Sequence, residues 1–429
     1  MELKAMSKSE LEAFLKETTE EYDGYKAKGL KLNMARGKPG ADQLDLTEGM
    51  LTAVKSNADC YAEDGTDCRN YGIVDGLPEA KKLFAPMLGV SEDEIMVLGN
   101  SSLTIMYDNI AKFTVFGTGN GAEPWGVQAR EKKLKWLCPV PGYDRHFLIT
   151  EKFGFEMINI PTGENGPDMD MIEKLVAEDD SIKGIWCVPM YANPTGVTYS
   201  DEVVKRFANM KTKASDFRIF WDNAYCVHHL TDTPDKLLNI LDECKAAGNP
   251  ERVVMFASTS KISYAGAGVA IMGASEANIK YILSLMTVQT IGHDKINQLR
   301  HVKFFGDFEG LKEHMKKHKA LIAPRFKVVL DTLDKELGDL GVAEWTKPNG
   351  GYFVSFNAMN GTAKRIVTLC KEAGVVLTGA GATFPYGKDP EDKNIRVAPT
   401  YPPVEELKIA AKLFTVCVKL ASAEKLLAE

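Results

Sequence analysis

Gly184-Ile185-Trp186-Cys187-Val188, Arg218-Ile219-Phe220-Trp221 and Val253-Val254-Met255-Phe256 are the runs on which the fold turns. Each is short and, after the leading Arg218 of the second, continuously apolar, and Gly, Pro, Asn or Asp bound the set. A strand with one face in water alternates apolar and polar residues, whereas a strand covered on both faces reads as an unbroken apolar run. The same texture recurs in Ile95-Met96-Val97-Leu98, Lys135-Trp136-Leu137-Cys138 and Glu156-Met157-Ile158-Asn159-Ile160. Helical patterns lie between these runs, such as Leu103, Met106, Tyr107 and Ile110, and the helix opened by Pro78. Strands alternating with helices predict βαβ units and an α/β fold with a mostly parallel central sheet flanked by helices.

After about residue 290 the texture changes. A charged helical pattern from Asp307 to Leu337 is followed by the strand signal Tyr352-Phe353-Val354-Ser355-Phe356 and a terminal helix from Val404. This reads as a smaller α+β domain. The expected division is a large domain at 47–305 and a small one made of 1–46 and 306–429, with the N-terminal helix folding back. Phe116 to Gly126 reads as a long surface loop.

Composition narrows the function classes. The chain has 429 residues, 52 Lys and Arg against 59 Asp and Glu, and a formal charge of −7, with no basic stripe for nucleic acid. No apolar run approaches the ~18 residues of a membrane helix, and the opening Met1-Glu2-Leu3-Lys4 is unlike a secretory leader. The 8 cysteines are scattered without CxxC pairs or metal-ligand spacing, which points to a reducing cytoplasm and to no metal site.

Four polar landmarks stand at strand edges: Asn193-Pro194-Thr195-Gly196, Asp222-Asn223-Ala224-Tyr225, Ser258-Thr259-Ser260-Lys261 and Asn394-Ile395-Arg396-Val397. Open α/β sheets bind ligands beyond the carboxyl ends of their strands, so such residues converge on one crevice. Singly, each has an ordinary explanation: a turn, a helix cap, a solvated lysine, a surface ion pair. Asn100-Ser101-Ser102 opens a helix directly after a strand, where free N–H groups and the helix dipole suit a phosphate, or where a serine simply caps. His314 and His318, among Lys312, Lys316, Lys317 and Lys319, read as a solvated helix face, and His228-His229 as structural. Gly266-Ala267-Gly268 and the segment Gly379 to Phe384 do not complete a dinucleotide fingerprint.

Taken in order, and with Arg36-Gly37-Lys38-Pro39, Arg69-Asn70-Tyr71-Gly72 and Ala265-Gly266-Ala267-Gly268-Val269, the series resembles the fold-type-I aminotransferases that use pyridoxal 5′-phosphate. It is most similar to the subgroup Ic aspartate aminotransferases, a branch labelled MocR-like. The resemblance implies that Lys261 condenses with the cofactor aldehyde and then shuttles the substrate proton, while Asp222 faces the pyridine nitrogen. It implies that Asn193 and Tyr225 meet the ring 3′-oxygen and that Tyr143 stacks on the ring. Asn100, Ser101, Ser102 and Ser258 would hold the phosphate, helped by Tyr71 of a neighbouring subunit, which makes the protein a homodimer with shared sites. Arg396 and the Gly37 N–H would bind the substrate α-carboxylate, and Arg36 its side chain. Gln289-Thr290-Ile291-Gly292-His293 matches a segment that lines the family's side-chain pocket.

One position departs from the pattern: Val269 stands where most relatives carry a phosphate-binding arginine. The implied activity is ping-pong transfer of an amino group from aspartate to 2-oxoglutarate. An aromatic or broad-range aminotransferase, a β-lyase and an aspartate 4-decarboxylase are alternatives on the same scaffold. A MocR-type regulator would need a winged-helix module, for which the stretch before Arg36 is too short.

Overall fold

The apolar runs lie side by side in one eight-stranded sheet. Its order is Ile95–Val97, Ala270–Ala274, Val253–Ser258, Arg218–Asp222, Ile182–Cys187, Lys135–Val140, Glu156–Gly163 and Gly166–Pro167. The computed structural model describes residues 2–429. The five central strands from Val253–Ser258 to Glu156–Gly163 pair in parallel. Ala270–Ala274 runs antiparallel between Ile95–Val97 and Val253–Ser258, and Gly166–Pro167 closes the far edge in a hairpin. The architecture is α/β with a mixed, mostly parallel sheet.

Burial on both faces explains the unbroken runs. Ile185, Trp221, Met255 and Ile271 enter one apolar cluster, while their chain neighbours Trp186, Phe220, Phe256 and Met272 enter the cluster on the other face. Successive strand side chains point to opposite faces, so both positions must be apolar when helices cover both. The segment expected as a surface loop differs from that reading. Phe116 ends the helix Ser102–Phe116, and Trp125 is fully buried, edge-on to Phe113 and Trp136, with its indole N–H donating to Asp216 at 3.0 Å. A single tryptophan among Gly and Pro residues draws this stretch inward.

A third apolar cluster holds the smaller assembly. It gathers the antiparallel strands Ala343–Trp345, Val354–Ala358 and Asn394–Val397 with the helix Val404–Ala428. The N-terminal helix Lys8–Lys26, started by a Ser7–Glu10 capping box, packs along Val404–Ala428. Just beyond it, Leu32–Asn33 pairs in parallel with Val375–Val376. The helix Phe308–Leu337 belongs to both parts: Leu311 and Met315 pack with the sheet, Ile322 and later residues with the smaller cluster. No helix among the described residues is long and apolar enough to cross a membrane.

Candidate active site

A cavity of about 720 Å³ opens beyond the carboxyl ends of the parallel strands, walled on its far side by the smaller assembly. Arg36, Gly37, Ser101, Ser102, Tyr143, Asn193, Asp222, Tyr225, Ser258, Lys261 and Arg396 all line it. Two of the expected residues stand elsewhere. Asn100 is exposed and borders a separate cavity of about 230 Å³ together with Gln289, Thr290 and His293, so that segment does not reach the main cavity. Tyr71 is 80% exposed, its strap tied to the same segment where the Gly72 N–H donates to the Ile291 carbonyl at 3.2 Å.

Asp222 is the last residue of its strand and is buried. Its Oδ2 accepts from His146 Nε2 at 2.9 Å, while Oδ1 is buried with no hydrogen-bond partner. A carboxylate only accepts, so His146 carries a proton on Nε2. The His146 ring is stacked on Trp186 at 4.3 Å and 9°, which fixes its plane. Sequence reasoning missed His146. The available signal was its spacing, three residues after Tyr143 on the helix Asp144–Lys152 that Tyr143 opens.

Lys261 sits in the turn that joins Val253–Ser258 to the antiparallel Ala270–Ala274. Its amine makes no hydrogen bond among the described residues and lies 5.1 Å from the Tyr225 ring centroid and 5.9 Å from that of Tyr352. Burial lowers its pKa from the ordinary lysine value; Asp222 opposes this and Arg396 adds to it. Burial likewise raises the phenols, Tyr143 to about 12 and Tyr225 well above its usual value, so both stay protonated donors at neutral pH.

Arg396 faces Ser355 in the small sheet and is 7% exposed, which sets it apart from a surface ion pair. Its Nη1 donates to Asp144 Oδ1 at 3.1 Å and to the side-chain Oδ1 of Asn193 at 3.3 Å, Nη2 donates to Thr378 Oγ1 at 3.3 Å, and Nε is buried without a partner. The Phe353 ring lies 4.9 Å from the guanidinium carbon. A Cβ on Gly37 would stand 2.3 Å from the same ring. Backbone at 37, ring and guanidinium are thus packed in series.

The serines form another corner. Ser101 occupies the N-cap position of Ser102–Phe116 without a side-chain cap bond, so its hydroxyl is uncommitted. Ser258 donates to Ser260 at 3.1 Å, and both line the cavity. Val269 is 1% exposed, and its N–H donates to Thr259 Oγ1 at 2.9 Å. Hydroxyls and a helix N-terminus, rather than an arginine at 269, are what this corner offers an anion. Arg36, Lys38 and Arg145 are exposed cations on the cavity lining, of which the sequence singled out only Arg36.

The histidines correct an expectation. His314 and His318 are 4% and 1% exposed and do not form a solvated face. On a helix the lysines around them point outward while positions four apart share the inner face. His228 is buried too, with its Nε2 3.4 Å from the Lys261 carbonyl.

Comparison with known proteins places this geometry. A family model described as aspartate amino-transferase matches residues 6–429. An aspartate aminotransferase of Corynebacterium glutamicum is 48% identical over 96% of this chain and 94% of its own. A putative aminotransferase of Mycolicibacterium smegmatis is 50% identical over 95% of each. The crystal structure of an aspartate transaminase from Corynebacterium glutamicum superposes with a TM-score of 0.96 at 46% identity, covering 99% of both chains. Nearly every residue of the chain is therefore accounted for by one family: it belongs to the aspartate aminotransferases.

Proposed function

We propose that the chain transfers the amino group of aspartate to 2-oxoglutarate in a ping-pong cycle, with pyridoxal 5′-phosphate held in the 720 Å³ cavity. Aminotransferases of this family use that cofactor. The observation that carries the reading is the buried, unpartnered Oδ1 of Asp222 in the cavity that also holds the unbonded Lys261 amine. A buried carboxylate oxygen without a donor is costly, and a protonated pyridine nitrogen is the donor it lacks. The serine corner, the two neutral phenols and the carboxylate clamp suit the remaining groups of the same cofactor and its substrate.

When bound, the cofactor supplies an electron sink for the pair left as the substrate Cα–H bond breaks. Lys261 Nζ takes that proton and returns it; a pKa below the ordinary lysine value leaves more of the amine free to do so. Asp222 keeps the pyridine proton in place, and His146 holds Asp222. Asn193 and Tyr225 would donate to the ring 3′-oxygen and Tyr143 would cover the ring, while Ser101, Ser102 and Ser258, on the same cavity lining, would hold the phosphate. Arg396 grips the α-carboxylate with its planar fork, assisted by the Gly37 N–H, and this sets which bond at Cα is presented to Lys261. Arg36 takes the side-chain carboxylate. Tyr71 reaches the phosphate of a neighbouring protomer, which makes a homodimer the working form. The large domain, 47–305, and the small one, 1–46 with 306–429, meet at the cavity. The free cysteines suit a cytoplasmic setting.

Borohydride treatment of the holoenzyme followed by peptide mapping should find the coenzyme adduct on Lys261; an adduct on another lysine overturns the reading. A panel of amino and oxo acids should show aspartate as the preferred donor. Pyruvate with ammonia among the products would instead indicate a lyase, and alanine from aspartate a decarboxylase.

Gly37→Ala tests the clamp. The added methyl must displace Phe353, and with it the face on which Arg396 lies. KM for aspartate should rise about tenfold with a smaller change in kcat, as expected when ground-state binding is lost. An unchanged KM removes Gly37 from the clamp.

A further inference from the structure

Outside the cavity lining, five buried polar side chains close on the backbone that carries Lys261. The Lys261 carbonyl oxygen lies 3.4 Å from His228 Nε2 and 3.4 Å from the Tyr352 hydroxyl. The Ile262 carbonyl lies 2.9 Å from His314 Nε2. His318 Nε2 stands 3.0 Å from the same His314 nitrogen, and the Gln43 amide spans His318 Nδ1 at 3.3 Å and the Tyr352 hydroxyl at 2.9 Å. The five come from distant parts of the chain: the short helix Ala41–Asp45, the segment after Arg218–Asp222, the helix Phe308–Leu337 and the lead into Val354–Ala358.

Carbonyl oxygens only accept, so His228 and His314 carry their protons on Nε2; the Gln43 amide donates to His318 Nδ1, which leaves the His318 proton on Nε2 as well, and both helix imidazoles share the Ile262 carbonyl as acceptor. Burial holds the His228 and His314 imidazoles below their usual range, and on His228 the Lys261 charge pushes the same way. Each is then a neutral donor in one tautomer, aimed at one carbonyl. Buried polar groups carry a desolvation cost that an apolar side chain would avoid, and His228 Nδ1 remains without a partner. Packing alone does not call for three histidines here. What they add is a fixed place for the Lys261–Ile262 peptide.

The other end of Lys261 has no such bonds. Its amine stands 5.1 Å from the centroid of the Tyr225 ring and 5.9 Å from that of Tyr352, so Tyr352 bonds the Lys261 carbonyl with its hydroxyl and presents its ring toward the amine. The next residue, Phe353, lies against Arg396 and Gly37.

We propose that Tyr352 and His314 are positioning residues for Lys261, fixing through its own and the following carbonyl, and through the Tyr352 ring, where the amine stands for proton transfer at the substrate Cα. This rests on Lys261 being the reacting amine, as proposed above. The charged groups that act on that amine are Asp222 and Arg396, and both stay in place in the variants below.

Tyr352→Phe keeps the ring and removes the hydroxyl. His314→Leu removes the donor, and His314→Gln returns an N–H to the same region. Holoenzymes are compared by steady-state kinetics with aspartate and by the pH midpoint of their visible absorbance. Tyr352→Phe and His314→Leu should each lower kcat about five- to tenfold, with KM held within about twofold. The midpoint should move by at least about 0.5 pH unit, and His314→Gln should recover kcat to within about twofold of wild type. Loss of a merely structural contact would lower the yield or melting temperature and leave kcat per holoenzyme and the midpoint alone. That result for Tyr352→Phe overturns the proposal, even if His314→Leu yields no soluble protein, and so does equal impairment by Leu and Gln at 314. Borohydride mapping of the wild type separates the cases: no adduct at Lys261 defeats the function reading itself, whereas an adduct there with unchanged variants defeats only the positioning role.

Discussion

Lys261→Ala should abolish transamination, lowering kcat by about 10⁴-fold or more, because proton transfer at the substrate Cα loses its acid and base. Circular dichroism should show the fold retained, since the amine makes no hydrogen bond that the structure depends on. Turnover within about tenfold of wild type would assign the chemistry to another amine. The same variant has a thermodynamic signature. Folding lowers the Lys261 pKa, so the unfolded chain binds more protons than the folded one as pH approaches the ordinary lysine value of 10.5. Stability of the apoprotein gains from this group as pH rises through that window, and the gain should vanish in Lys261→Ala. Melting curves of both apoproteins across alkaline pH measure the difference.

Asp222→Asn should lower kcat by about 10²- to 10³-fold while cofactor affinity changes by no more than about tenfold. The amide keeps the shape of the carboxylate and can still accept from His146, so the packing around Trp186 survives. What disappears is the negative charge that keeps a proton on the pyridine nitrogen. Stopped-flow half-reactions with aspartate and equilibrium binding of the cofactor give the two quantities separately. A large loss of affinity with kcat preserved would show that Asp222 only anchors the ring.

The central strands were legible because burial on both faces leaves its mark on every residue: Phe220 and Trp221 serve different clusters, yet both must be apolar. Ala270–Ala274 was not, because its residues Ala-Ile-Met-Gly-Ala are small, few and preceded by a Gly-rich stretch, with no periodicity to separate them from a loop. Landmarks at strand ends pointed to one crevice because the sheet topology gathers such ends. Asn100 failed that rule: it precedes the N-cap, is exposed, and borders the smaller neighbouring cavity. His146 and Arg145 carry no sequence signal of their own, and Phe353 reads only as part of a strand, because each gains its place at the site from a partner remote in the chain or from a helix face. His314 and His318 were obscured by their lysine neighbours; reading the face with Leu311, Met315 and Ile322 reveals an inward stripe.

The pairing of Leu32–Asn33 with Val375–Val376, and of the first long helix with the last, also sets a timetable for biosynthesis. The helix Lys8–Lys26 and Leu32–Asn33 must wait until Val375–Val376 and Val404–Ala428 have been translated before they meet their partners. Until then Leu11 and Tyr22 remain uncovered, a natural handhold for chaperones. A nascent chain halted before Asn394–Val397 would carry Lys261 and Asp222 but no Arg396, so the polypeptide passes through synthesis chemically unarmed.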